Sequence, residues 1–211
     1  MSAASAGRGR FIVLEGGEGA GKSTHAASIR DWLQARGREV VQTREPGGSP
    51  LAEGIRKLVL ESWTEGISAE TEVLLMFAAR AAHLRATILP ALAAGKDVVC
   101  DRFVDSSHAY QGAGKGVDAE HLLALQRLVL KDLQPDLVLL FDLPPEQGLA
   151  RARHRGDANR FEDESLAFMR RVRECFLQRA REGGARYAVI DAAPPLEAVR
   201  QQLLGVLESR L

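Results

Sequence analysis

The sequence predicts an α/β protein built on a parallel sheet of five strands with helices on both faces. Two observations carry this. Short apolar, β-branched runs alternate with long helical stretches along the whole chain, the pattern of a sheet covered on both sides. A glycine-rich loop also joins the first apolar run to the first helix. Ligands in such sheets gather at the C-terminal ends of the strands, so the residues after each strand carry the argument about function.

The first strand is expected at 11–15 and the first helix at 22–35, where Ala26, Ile29 and Leu33 share a buried face. Between them Gly16, Gly17, Glu18, Gly19, Ala20, Gly21, Lys22 and Ser23 complete the pattern G-x-x-x-x-G-K-S, followed by Thr24. Glycines let backbone N–H groups turn inward around an anion, and the helix N-terminus adds its dipole. Lys22 reaches outer phosphates, and the Ser23 hydroxyl is a Mg²⁺ ligand type.

The second strand, 40–43, runs into Thr43-Arg44-Glu45-Pro46-Gly47-Gly48. Pro46 keeps Glu45 out of helical geometry, so Arg44 projects from a stiff strand end. Helices follow at about 50–60 and 69–93. The third strand, 97–101, ends in Asp101-Arg102-Phe103, a carboxylate suited to a metal and a guanidinium suited to a phosphate. The segment 112–116 reads as loop, and a helix is expected at 119–130. The fourth strand, 137–142, ends in Asp142, and the pattern alone leaves open whether Asp101 or Asp142 serves a metal. Helices at 146–155, 164–181 and 196–211 and a strand at 187–190 complete the chain.

Arg151, Arg153, Arg155 and Arg160 crowd one segment beside Gly156. A charge run usually marks a solvated face. Here the chain is neutral overall and a phosphate site needs local positive charge, so a mobile lid over about 151–162 is expected.

Composition narrows the function. The 211 residues suffice for one domain over 1–211, and no linker divides them; the first nine are small and polar and expected to be flexible. Lys+Arg and Asp+Glu number 28 each, which lacks the basic excess of a nucleic-acid binder. No purely apolar run is long enough to span a membrane. Cys100 and Cys175 form no C-x-x-C pair and read as reduced thiols of a cytoplasmic protein. The Asp-x-x-Gly and Asn-Lys-x-Asp motifs of switch GTPases are missing, and Asn159 is the only asparagine. A small-molecule phosphotransferase fits best. A kinase for another nucleotide or a nucleoside, and a nucleotide-switched binding protein, are the alternatives.

The segments 15–24, 43–48, Phe77-Ala-Ala-Arg80, Asp101-Arg-Phe103, Ala109-Tyr-Gln-Gly112 and Arg160-Phe-Glu162 occur in an order that resembles the bacterial thymidylate kinases across nearly the whole chain. The resemblance implies a P-loop kinase fold with a lid, and transfer of the terminal phosphate of ATP to dTMP with Mg²⁺. It also implies a homodimer. By the same resemblance, Lys22 and the 16–24 loop hold ATP, and Ser23 and Asp101 face the metal. Arg44 and Arg102 grip the dTMP phosphate, while Arg151, Arg155 and Arg160 close over the transferring group. Glu18 meets the sugar, Phe77 stacks on thymine and Arg80 bonds its carbonyl. Ser107 and Gln111 match positions that contact the base, Tyr110 crowds the sugar and Arg56 lies beside the base. Many family members space the aromatic and the arginine four apart, which would put Met76 in the stacking place.

Overall fold

The computed structural model describes residues 7–153 and 164–211. Its strands are β1 (Phe11–Gly16), β2 (Val40–Arg44), β3 (Asp97–Asp101), β4 (Leu137–Asp142) and β5 (Tyr187–Asp191), all parallel, in the order β2-β3-β1-β4-β5. β1 is central: the chain goes from it to the edge strand β2, returns to place β3 between them, and then adds β4 and β5 on the other side. The loop after β1 therefore opens into the crevice where the strand order reverses.

The three inner strands, β3, β1 and β4, are apolar on both faces because both faces are covered. Phe11, Val13, Val98, Cys100 and Val138 point into one core, against α3 (Ala69–His83), α4 (Leu89–Ala93) and α6 (Ala119–Leu130). Ile12, Leu14, Val99, Leu139, Phe141 and Ile190 alternate with them into the opposite core, against α1 (Lys22–Gln34) and α9 (Leu196–Arg210). The period-two alternation along β1 thus feeds two cores at once. A third cluster packs α8 (Leu166–Gly183) against Leu140 and Tyr110.

Helix starts follow local chemistry. Ser49 accepts a hydrogen bond from the Ala52 N–H and Pro50 takes the first turn of α2 (Pro50–Leu60); Ser68 caps α3 in the same way. The stretch 69–93 runs on as one helix through a π-helical segment, Leu84–Ile88. By length and mean hydropathy it could cross a membrane, but its buried Arg80 and His83 are hydrogen-bonded inside the protein, as in a core helix.

β3 is followed by α5 (Val104–Ser107), continued by a π-helical run, His108–Gly114, so the first three residues of the segment 112–116, expected as loop, are helical. Its serines and glycines carry weak helical propensity, and packing against α8 overrides it. At the N-terminus, Arg8 donates to Asp136 and the Gly9 N–H to the Leu92 carbonyl, so these two residues are tied to the body. α7 (Pro145–Arg153) leads toward the expected lid; Arg155 and Arg160 lie outside the described residues.

Candidate active site

Two adjoining pockets open at the C-terminal end of the sheet. The first is lined by the loop residues from Glu18 to Ser23 together with Arg44, Glu45, Arg56, Asp101 and Arg102. The second lies between the Pro46 turn, Met76 and Arg80 of α3, and the segment from Arg102 to Gln111. Glu45, Arg56 and Arg102 belong to both, so they form the shared wall.

The glycine-rich loop is shaped for an anion. Gly19 and Gly21 take positive φ, and Gly21 directly precedes α1. The Lys22 ammonium donates to the Gly16 and Gly17 carbonyls at 2.9 and 2.7 Å, which folds it over the loop. Burial, then the charge of Arg102, lowers its pKa to about 8. The Ser23 hydroxyl donates to Asp101 Oδ2 at 2.7 Å, tying the end of β3 to the loop. Asp101 Oδ1 is buried with no hydrogen-bond partner among the described residues. A buried carboxylate oxygen left open beside a serine hydroxyl is the donor set a hard divalent cation takes. Asp142 is committed elsewhere: Arg173 grips both its oxygens, at 2.7 and 2.9 Å.

Arg102 sits at the junction of the pockets in a left-handed conformation, φ 69°. A non-glycine residue there needs surrounding contacts to hold it. Its N–H donates to the Leu14 carbonyl, and its guanidinium donates to the Gly16 carbonyl, Ser106 Oγ and Glu18 Oε1. The Tyr110 hydroxyl donates to the same Glu18 oxygen at 3.1 Å, and the guanidinium lies 5.1 Å from the Tyr110 ring. Burial works against the Arg102 charge, yet Glu18, Tyr110 and Asp101 hold its pKa above the usual guanidinium range. Burial raises the Tyr110 pKa, so the phenol keeps its proton.

Beneath this turn lies Glu15, fully buried, accepting from the Phe103 and Ser106 N–H groups and from Ser106 Oγ. Burial, then the nearby Asp105 charge, pushes its pKa up to about 7. The sequence assigned no role in the site to Glu15 or Glu45. Glu45 accepts from Arg80 Nε at 2.7 Å and bonds His83 Nδ1 at 3.0 Å, so the turn after β2 is locked to α3. A charged residue inside an otherwise apolar strand end was the available signal for Glu15.

The remaining expected residues divide. Arg80, Ser107, Tyr110, Gln111 and Arg56 all line the second pocket. Arg44 lines the first and pairs with Glu53 at 3.0 Å. Phe77, expected against a base, is instead sunk in the core with its ring under the Arg80 guanidinium, because it lies on the helix face turned to the sheet. Met76 and Phe103 line the pocket beside Arg80, and Leu60 and Pro46 add further apolar surface to it. Arg151 donates to the Ala192 and Ala193 carbonyls and lines neither pocket.

The family model described as thymidylate kinase matches residues 14–203. A thymidylate kinase of Pseudomonas putida is 54% identical over 204 residues, covering 95% of this chain and 97% of its own. That of Alcanivorax borkumensis is 50% identical over 200 residues, covering 95% and 96%. Among solved structures, the crystal structure of thymidylate kinase from Ehrlichia chaffeensis superposes with a TM-score of 0.79 at 31% identity, over 95% of this chain and 99% of that one. Fold, paired pockets and sequence similarity agree: the chain belongs to the thymidylate kinase family.

Proposed function

We propose that the protein transfers the terminal phosphate of ATP to dTMP, giving dTDP and ADP, as a step of dTTP biosynthesis. The observation that carries this is Arg102 in the wall common to the two pockets. One pocket has the form of a triphosphate cradle. The other is a cavity with apolar walls at Pro46, Leu60, Met76 and Phe103 and polar groups both on the shared wall and at Arg80, Ser107 and Gln111, the form of a nucleobase site. A phosphate acceptor entering the second would bring its phosphate to the arginine between them.

The acceptor oxygen is already ionised near neutral pH, so no general base is required. The barrier is the mutual repulsion of two polyanions and their alignment. Lys22 and the loop amides from Gly16 to Thr24 hold ATP, while Arg44 and Arg102 hold the dTMP phosphate. Ser23 and Asp101 would hold Mg²⁺, which when bound neutralises phosphate charge; the open buried oxygen of Asp101 supports this. Glu18 and Tyr110, hydrogen-bonded to each other, face the sugar, and Tyr110 disfavours a ribose hydroxyl there. Met76 and Phe103 flank the base in place of Phe77, with Arg80, Ser107 and Gln111 at its polar edge and Arg56 beside it. Residues 151–162 act as the lid, bringing Arg151, Arg155 and Arg160 over the transferring group. For Arg151 this requires release from the Ala192 and Ala193 carbonyls.

The same reading makes residues 1–211 one domain and the enzyme a cytoplasmic homodimer that binds neither nucleic acid nor membrane. Leu51 and Leu58 of α2, Leu74 of α3 and Leu128 of α6 are exposed on helices that pack side by side. A second copy is the partner such a face fits. The free thiols of Cys100 and Cys175 agree with a reducing compartment.

The test is ADP release from ATP·Mg²⁺ with dTMP, dUMP, thymidine, AMP or no acceptor. Strong turnover with dTMP, weaker with dUMP and none with thymidine is expected. Equal turnover without an acceptor, or a preference for AMP, would overturn the reading.

A further inference from the structure

The polar end of the base cavity has a fixed hydrogen-bond polarity, and a residue outside the cavity sets it. Gln111 is 1% exposed and lines the cavity beside Arg80 and Ser107. Its Nε2 donates to Glu72 Oε1 at 2.7 Å. Glu72, on α3, is fully buried, and the Lys115 ammonium donates to its other oxygen at 3.0 Å. With a cation on one oxygen, Glu72 offers acceptors only. The Gln111 amide therefore turns its NH₂ toward Glu72 and presents Oε1 as the remaining acceptor. No hydrogen bond among the described residues uses that oxygen. Arg80 is a donor only, held by Glu45 and the Phe103 carbonyl.

We propose that Glu72, which lines no part of the cavity, is a positioning residue for base specificity. By locking the Gln111 amide, it makes the cavity accept a pyrimidine whose ring nitrogen carries a proton and reject one whose ring nitrogen is a lone pair. Thymine and uracil meet an acceptor at Gln111 and donors at Arg80. Cytosine presents both groups inverted, and rotating the Gln111 amide to suit it would set a carbonyl against the Glu72 carboxylate. A buried polar group left unpaired in this way supports strong discrimination, unlike the single methyl that separates dTMP from dUMP. The inference rests on the pyrimidine occupying this cavity.

The test compares dTMP with 5-methyl-dCMP, which has the same shape and inverted polarity. The readout is the ratio of their kcat/KM values in wild type, Glu72→Gln, Gln111→Leu and the exchange variant Glu72→Gln/Gln111→Glu. In Glu72→Gln the amide at 111 is free to turn, and the ratio is expected to fall by about ten- to a hundredfold. The exchange variant puts a donor at 72 against an acceptor at 111, so an acceptor still faces the base and the preference for dTMP returns. A general packing defect would lower both substrates alike and leave the ratio in place. An unchanged ratio in Glu72→Gln, with a lowered one in Gln111→Leu, overturns the role of Glu72 alone. An unchanged ratio in Gln111→Leu overturns the placement of the base as well. Should Glu72→Gln not fold, loss of the preference in the exchange variant overturns the proposal.

Discussion

Arg102 Nη2 lies 2.6 Å from Glu18 Oε1, so the residue at the junction of the two pockets is bound to the phosphate loop itself. The loop would otherwise hold a carboxylate facing incoming phosphates. Pairing that carboxylate with Arg102 and the Tyr110 hydroxyl turns it aside and leaves a local charge balance that phosphate can join.

Removing the Arg102 side chain by Arg102→Ala is expected to cut kcat/KM for dTMP by about 10²–10³-fold, the scale for losing one preorganised charge donor. Circular dichroism and thermal unfolding should show the fold retained. Kinetics within a few-fold of wild type would remove the phosphate-clamp role.

Lys22 makes ATP binding pH-dependent. In the free enzyme its pKa is lowered to about 8, so it is charged at pH 7 and mostly neutral at pH 9. Bound phosphate favours the charged form. Binding at pH 9 should then take up close to one proton, and at pH 7 little from this group, with affinity falling as pH rises above 8. Calorimetry in buffers of different ionisation enthalpy measures the uptake; equal uptake at both pH values contradicts it.

Glu15 makes stability pH-dependent in the opposite sense to an ordinary paired carboxylate. Its folded-state pKa is raised from 4.5 to about 7. Between those values the folded state binds more protons than the unfolded state. This contribution is full below the unfolded value and is lost as pH rises through about 7. The urea midpoint of Glu15→Gln should therefore fall less than that of wild type between pH 5 and 7.5. Parallel pH profiles would show that Glu15 titrates normally.

Gly148 lets α7 touch the phosphate loop. A Cβ there would stand 2.4 Å from the Glu18 carbonyl oxygen, and one on Gly19 would stand 2.1 Å from the Gly148 carbonyl oxygen. Glycine to alanine in a helix ordinarily stabilises by about 0.8–1 kcal/mol. Gly148→Ala should instead destabilise by about 1–3 kcal/mol, the cost of overpacking, and weaken ATP binding. Stabilisation with unchanged ATP affinity would mean that α7 is loosely docked.

Much of the molecule was legible in the sequence because the signals were local. The strand runs, the Gly16–Ser23 pattern, the helix start at Pro50 and the strand-end residues Arg44, Asp101 and Arg102 depend on neighbours in the chain. So did the five strands and most helices, whose ends were placed within a few residues. The helical segment from Val104 to Gly114 was not, because its glycines and serines argue for loop and its helical form is held by packing, chiefly against α8.

Tertiary structure alone decided three matters. Asp101 rather than Asp142 is left open to a cation, because Arg173, far along the chain, takes both oxygens of Asp142. Met76 rather than Phe77 reaches the cavity, because the rotation of α3 about its axis is set by what it packs on. Glu15, Glu45 and Glu72 hold the site from behind, each through partners many residues away. The sequence by itself determined the fold class and the kind of chemistry, since period and motif are properties of consecutive residues. Which carboxylate is open and which carboxylate is paired is a property of three-dimensional neighbours, and only the folded chain brings those together.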